Sequence, residues 1–185
     1  MQRRTFLNRM GMATIGFTGL TLASSSSAHG QGVDVETQIN SRFQQLQEWN
    51  QTNLDGNAQV RGIAQSAKSA ALSSDFQLFR QNFNILSILS FSLGQQGALS
   101  EFQQEQFQLI LTLIADAVRL AAPQDHNTAH ISVGLYEQTG NSDESESVVG
   151  PFFGDSPPSL DVTINGTPQS YQLVNSFTPD GGGNS

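Results

Sequence analysis

Three histidines occur in the 185 residues, and there is no cysteine, so thiolate metal sites, disulfides and cysteine nucleophiles are excluded. His126 and His130 form a His-x-x-x-His pair. On a helix that spacing turns two imidazoles to one side, as zinc or copper binding requires. The pair follows Pro123, a helix terminator, so it is expected in a loop, and it lacks the glutamate of the His-Glu-x-x-His metalloprotease motif. His29 is the third. If a leader is cut after Ala28, His29 becomes the N-terminus, and its free amine and imidazole chelate one metal ion together. A nitrogen-rich set of this kind suits copper(II) above other common divalent ions.

The set His29, His126 and His130 is similar to the histidine brace of copper-binding exported proteins and lytic polysaccharide monooxygenases, some of which also begin His-Gly, as His29-Gly30 would. The resemblance implies copper binding. It does not carry the oxygenase fold, which is a β-sandwich, whereas most of this chain reads as helical.

The cut itself is read from the leader. Arg3, Arg4 and Arg9 carry all the charge of the first 28 residues, and the apolar run "GMATIGFTGLTLA" follows. A run of about 13 residues is too short to span a bilayer. A basic head, a short apolar centre and a small-residue end are the three parts of an export signal. Arg3-Arg4 with Phe6 and Leu7 resembles the twin-arginine (Tat) signal, Arg-Arg-x-Phe-Leu. Ser26-Ser27-Ala28 supplies the small residues for cleavage between Ala28 and His29. The resemblance implies a bacterial or archaeal source, the Tat machinery as a partner, and folded export to the periplasm or the exterior.

A second resemblance lies in "ESESVVGPFFGDSPP", residues 144–158. Glu146, Gly150, Pro151, Phe152 and Phe153 resemble the segment that introduces the catalytic β-sandwich of intradiol ring-cleavage dioxygenases. That family binds iron through two tyrosines and two histidines beyond the motif. Here only Tyr171 and no histidine follows Pro158, so the resemblance implies at most a truncated, inactive relative.

Charge narrows the classes further. All sixteen acidic residues lie after position 28 against five basic ones, Arg42, Arg61, Lys68, Arg80 and Arg119, which gives the cleaved chain a net charge of −11. Nucleic acid is therefore not an expected partner, since phosphates are neutralised by Lys and Arg. No phosphate loop, dinucleotide fingerprint or Gly-x-Ser-x-Gly elbow is present. Asp143, Glu144 and Glu146 lack the spacing of a calcium loop and read as solvated charge. Asp116 is either a buried carboxylate or the surface partner of Arg119.

The elements that would position these residues fall into two halves. Residues 33–122 contain no proline, and residues 123–185 hold all six prolines and no Lys or Arg. Val35, Ile39, Phe43, Leu46 and Trp49 recur as one helix face, and "NLDGN" at 53–57 ends that helix. Val60, Ile63, Ala64, Ala67 and Ala71 mark a second helix with a small-residue face. Ser74 with Gln77 reads as the capping box of a third, with the face Phe76, Phe79, Phe83 and Leu86 and an end, "ILSILSFSL", apolar almost all round, as suits a helix central in the core or in a partner interface. Gly94 and Gly97 stop it. Ser100 with Gln103 opens a fourth helix, whose stripe is Phe102, Leu109, Leu113, Ala117 and Leu120, widened by Ile110 and Ile114.

Beyond Pro123, "HISVGLYE" suits a short strand, and Asn165-Gly166 marks a hairpin whose second strand Pro168 demotes to a sheet edge. The expected fold is α+β, mostly α. Residues 1–28 form the leader, 29–122 a four-helix bundle, and 123–185 an irregular acidic segment with one β-hairpin and a flexible tail. No later run is long enough to leave a membrane span after cleavage. Chemistry-bearing residues are scarce. The expected function is therefore an exported, non-catalytic binding or accessory protein, with copper binding and the inactive dioxygenase relative as alternatives. Phe76, Phe79, Phe83 and Phe102 are candidates for an apolar ligand pocket or a partner interface, as is the surplus apolar surface of "ILSILSFSL".

Overall fold

The computed structural model describes residues 34–122, 130–139, 147–164 and 166–178. Arg3, Arg4, Phe6, Leu7, Ala28, His29 and His126 lie outside them. The architecture is α+β, with four helices followed by a four-stranded antiparallel sheet that curls.

The helices are α1 (Val35–Asn53), α2 (Ala58–Leu72), α3 (Phe76–Gln95) and α4 (Glu101–Ala121). Helix α1 buries Ile39, Phe43, Leu46 and Trp49, the periodic face of its sequence. It stops at a turn where Asp55 and Gly56 both take positive φ, and Asn57 caps α2 by accepting from the amides of Gln59 and Val60. The alanine face of α2 is buried as well. Helix α3 is capped by Asp75, one residue later than the Ser74 box predicts, because Ser74 itself takes a left-handed φ of 60°. Gly97, at φ 70°, ends α3 through a bond from the Ala98 amide to the Leu93 carbonyl. The Ser100–Gln103 capping box opens α4 as expected. Helix α1 packs against α2 and α4, and α3 packs against the same two.

One expectation for α4 is overturned. Its buried face is Phe107, Ile110, Leu111, Ile114, Ala115, Ala117 and Val118. Of the predicted stripe Ala117 belongs to it, as do Ile110 and Ile114, which were expected to widen the stripe, while Phe102, Leu109 and Leu120 are 55%, 52% and 60% exposed. Apolar residues occupy two faces of this helix, and periodicity alone does not say which one its neighbours cover. Asp116 is a surface carboxylate, 3.6 Å from Arg119.

The expected single hairpin is one part of a larger sheet. Strands β1 (Ile131–Gln138), β2 (Ser147–Phe153), β3 (Ser159–Ile164) and β4 (Thr167–Phe177) run in the order β2-β1-β4-β3. Strands β3 and β4 pair as the predicted hairpin, with Ile164 opposite Thr167, but β4 is interior. Pro168 is tolerated there because β1 begins to pair with β4 only at Gln138 and Tyr171, so the missing N–H falls beside β3 alone. Gly150-Pro151-Phe152-Phe153, expected within the irregular acidic segment, belongs to the edge strand β2, where Pro151 sits opposite Val133. An edge accommodates proline, which is why Gly-Pro did not abolish the strand.

The sheet curls about the C-terminal half of α3. Asn84 Oδ1 accepts from the Phe153 amide at 3.1 Å, and the Ser87 hydroxyl donates to the Pro151 carbonyl. At the other edge the Gln96 amide reaches the Thr163 carbonyl at 3.4 Å. Between these edges Phe91 of α3 packs with Tyr136, Phe152, Leu160 and Tyr171, all buried. Val174 is an extra residue in the β1–β4 register, a bulge of the kind that raises twist. Gly134 is required by the same packing. The Tyr136 ring lies across it, so a Cβ there would come within 2.4 Å of the ring. Most of the apolar surface of "ILSILSFSL" is taken up inside the chain: Leu86 and Phe91 are buried, Ile88, Leu89 and Leu93 pack partly buried against the two clusters, and Ile85 stays 43% exposed.

Candidate functional site

His130 is the one histidine among the described residues, and it sits immediately before β1. Its Nε2 lies 3.2 Å from Oδ1 of Asp155, which follows β2. The pairing of Ile131 with Phe153 brings these two together, and the Gly154 amide donates to the His130 carbonyl at 2.6 Å. Sequence reading had no signal for Asp155 as the neighbour of His130, because only the β1–β2 register connects them. The buried Ser132 hydroxyl donates to the Gly154 carbonyl at 2.5 Å and lies 2.9 Å from Ser156 Oγ. An open groove of about 560 Å³ runs over this cluster, bordered on its far side by Ser176, Phe177 and Thr178.

Chemically this is a weak constellation. Ser132 is 3% exposed and already donates to Gly154, so it is no ready nucleophile. His130 and Asp155 are two potential metal donors, and no group of three or more His, Asp or Glu occurs among the described residues. The nearby Tyr136 hydroxyl donates to the Pro157 carbonyl at 2.7 Å, and burial pushes its ionisation well above the ordinary tyrosine range, partly offset by a hydrogen bond with Ser156. It is held as a neutral donor.

The phenylalanines divide. Phe79 and Phe83 are fully buried and meet the ring of Phe153 edge-on, at centroid distances of 4.9 and 6.3 Å. Phe76 is partly buried against the same core. Phe102 is not with them but on the outer surface of α4. Phe153, which neither periodicity nor spacing placed in the helical core, fills the space beside Phe79 and Phe83. Phe152 points to the other aromatic cluster.

No protein-family model matches the chain, and neither the curated proteins nor the solved structures provide a match. Function is therefore read from the chain's own surfaces.

The surface that stands out is α4. At about 100° per residue, Phe102, Leu109, Leu113 and Leu120 fall within about 20° of one direction, a straight stripe about 27 Å long. Leu113 is half-buried and the other three are more than half exposed. One side of the stripe abuts α1, where Gln106 accepts from the Trp49 indole at 3.3 Å and Gln103 donates to Asn53 at 3.0 Å. The other side carries Glu101, Glu105, Asp116 and Arg119. At the Leu120 end a small cleft of about 210 Å³ separates α4 from Gln38 and Arg42 of α1. Isolated exposed leucines need no explanation, but an aligned row rimmed by charge has the form of a helix contact face.

Proposed function

We propose that the chain is an exported, non-catalytic binding protein that works through a four-helix bundle, with the outer stripe of α4 as its contact surface. The pairwise packing of α1 with α2 and α4, and of α3 with the same two, supports the bundle. The observation that carries the binding reading is the alignment of Phe102, Leu109 and Leu120, each more than half exposed, on one line of one helix. Export as a folded protein by the Tat machinery, to the periplasm or beyond, belongs to the same reading and is supported by Arg3, Arg4, Phe6 and Leu7.

Site-specific photocrosslinking in an exporting bacterial host tests it. A photoreactive residue at Leu109 is expected to give one discrete adduct that disappears when Leu120 is changed to Glu. A control at the exposed Gln47 of α1 should give none. Equal labelling at both positions, or none at Leu109, would refute the reading.

A second reading, copper binding by His29 with His126 or His130, is favoured by the Asp155 carboxylate beside His130, which adds an oxygen donor in the same groove.

A further inference from the structure

We infer that the partner of the α4 stripe is a second copy of this chain, docked antiparallel about a two-fold axis; the inference rests on the reading of α4 as a contact surface. The spacing itself is self-complementary. Positions 102 and 120 lie equally far from Leu111, as do 109 and 113. An antiparallel pair of α4 helices with the axis level with Leu111 sets Phe102 against Leu120 of the second copy and Leu109 against its Leu113. One register buries the whole row from both sides, which is the requirement of an isologous contact.

The rim charges follow the same symmetry. Glu101 and Glu105, both exposed, flank the Phe102 end, whereas Arg119 and Arg42 flank the Leu120 end. Antiparallel docking brings Arg119 of one copy to the level between Glu101 and Glu105 of the other, on the same side of the interface. Asp116, 3.6 Å from Arg119 of its own copy, would share that guanidinium with the acids of the second copy. A parallel in-register pair would also set apolar residues level with apolar residues, but it would put Glu101 and Glu105 level with the same acids of the other copy and Arg119 level with Arg119, so no opposite charges would meet.

One helix pair buries less than the roughly 1,200 Å² of a stable interface, so the contact is expected to be weak and concentration-dependent. Sedimentation velocity of the exported protein from 5 µM to 1 mM reads this directly. Wild type is expected to pass from monomer to dimer, and Leu109→Glu to stay monomeric with unchanged helicity. Glu105→Lys and Arg119→Glu should each weaken association about tenfold, and the double exchange should restore it to within about threefold of wild type, because the two charges then meet in reversed sense. A wild-type protein that remains monomeric to 1 mM overturns the inference. So does a Leu109→Glu chain that associates like wild type, or a double exchange no better than its single parents. A monomer whose Leu109 crosslinks to a different protein overturns self-association alone and leaves the reading of α4 as a contact surface standing.

Discussion

Truncating Phe153 to Ala separates a shared core from two independent halves. Phe153 is 1% exposed, comes from the sheet, and packs edge-on against Phe79 and Phe83 of α3. A fully buried Phe→Ala change costs about 3–5 kcal/mol, which includes the cavity left behind. The backbone bond from the Phe153 amide to Asn84 survives the substitution, so the loss is that of the side chain. For a chain of this size, about 2–4 °C per kcal/mol gives a fall in Tm of roughly 6–20 °C. Trp49, the single tryptophan, reports the helical side from its contact with Phe107 at 4.8 Å. Urea unfolding followed by Trp49 fluorescence and by far-UV circular dichroism should therefore move together, although the mutation is in the sheet. Phe102→Ala, at an exposed position, is expected to change stability by less than about 0.5 kcal/mol. A Trp49 midpoint unmoved by Phe153→Ala, or a cost as large at Phe102 as at Phe153, would refute the assignment of core and surface.

The buried Tyr136 hydroxyl gives a pH dependence whose sign is fixed. Its ionisation is raised in the fold, while the unfolded chain ionises at the ordinary value of 10.0. The stability it contributes is therefore complete below about pH 10 and declines as pH rises above it. A difference titration at 295 nm between wild type and Tyr136→Phe, centred at 10 with the fold intact, would contradict this. The copper reading is checked by mass spectrometry of the exported chain, followed by isothermal titration. It expects an N-terminus at His29 and one tight site weakened at least about tenfold by His130→Ala. A different N-terminus, or a titration without a 1:1 site, ends it.

The helices were legible because their signals are local. The three-and-four spacing of Ile39, Phe43, Leu46 and Trp49, the Asn57 turn and the Ser100–Gln103 box all act within a few residues. The strands were only half legible. The β3–β4 hairpin announces itself in Asn165-Gly166, whereas β2 pairs with β1 across the apolar-free run 138–147, and its Gly-Pro pair argues against a strand unless the strand is an edge. The proximity of Asp155 to His130 is a consequence of that pairing, so it was illegible for the same reason. On α4 the failure was different in kind. Its periodicity was read correctly, but the helix has two apolar faces about 130° apart. The stripe through Phe102, Leu109 and Leu120 was placed inward, whereas the face that its neighbours cover runs through Phe107, Leu111 and Val118.

This distinction bears on function. In the sequence, "ILSILSFSL" carries more apolar surface than one helix face needs, and on that ground α3 is expected either at the centre of the core or at a partner interface. Topology favours the core. The curled sheet meets α3 at both of its edges, through Asn84 and Ser87 on one and Gln96 on the other, and Phe91 fills the space between. Most of the apolar surface of α3 is taken up within the chain, although Leu78 and Ile85 stay 41% and 43% exposed, and among the described residues the longer aligned row of exposed apolar side chains is the one on α4, which the sequence pattern had assigned to the core. A surplus of apolar residues marks a contact surface only after the chain's own strands have taken their share. For this protein β2 and β3 pack mainly against α3 while the outer row of α4 stays exposed, and a single charge at Leu109 therefore tests the function at little expected cost to the fold.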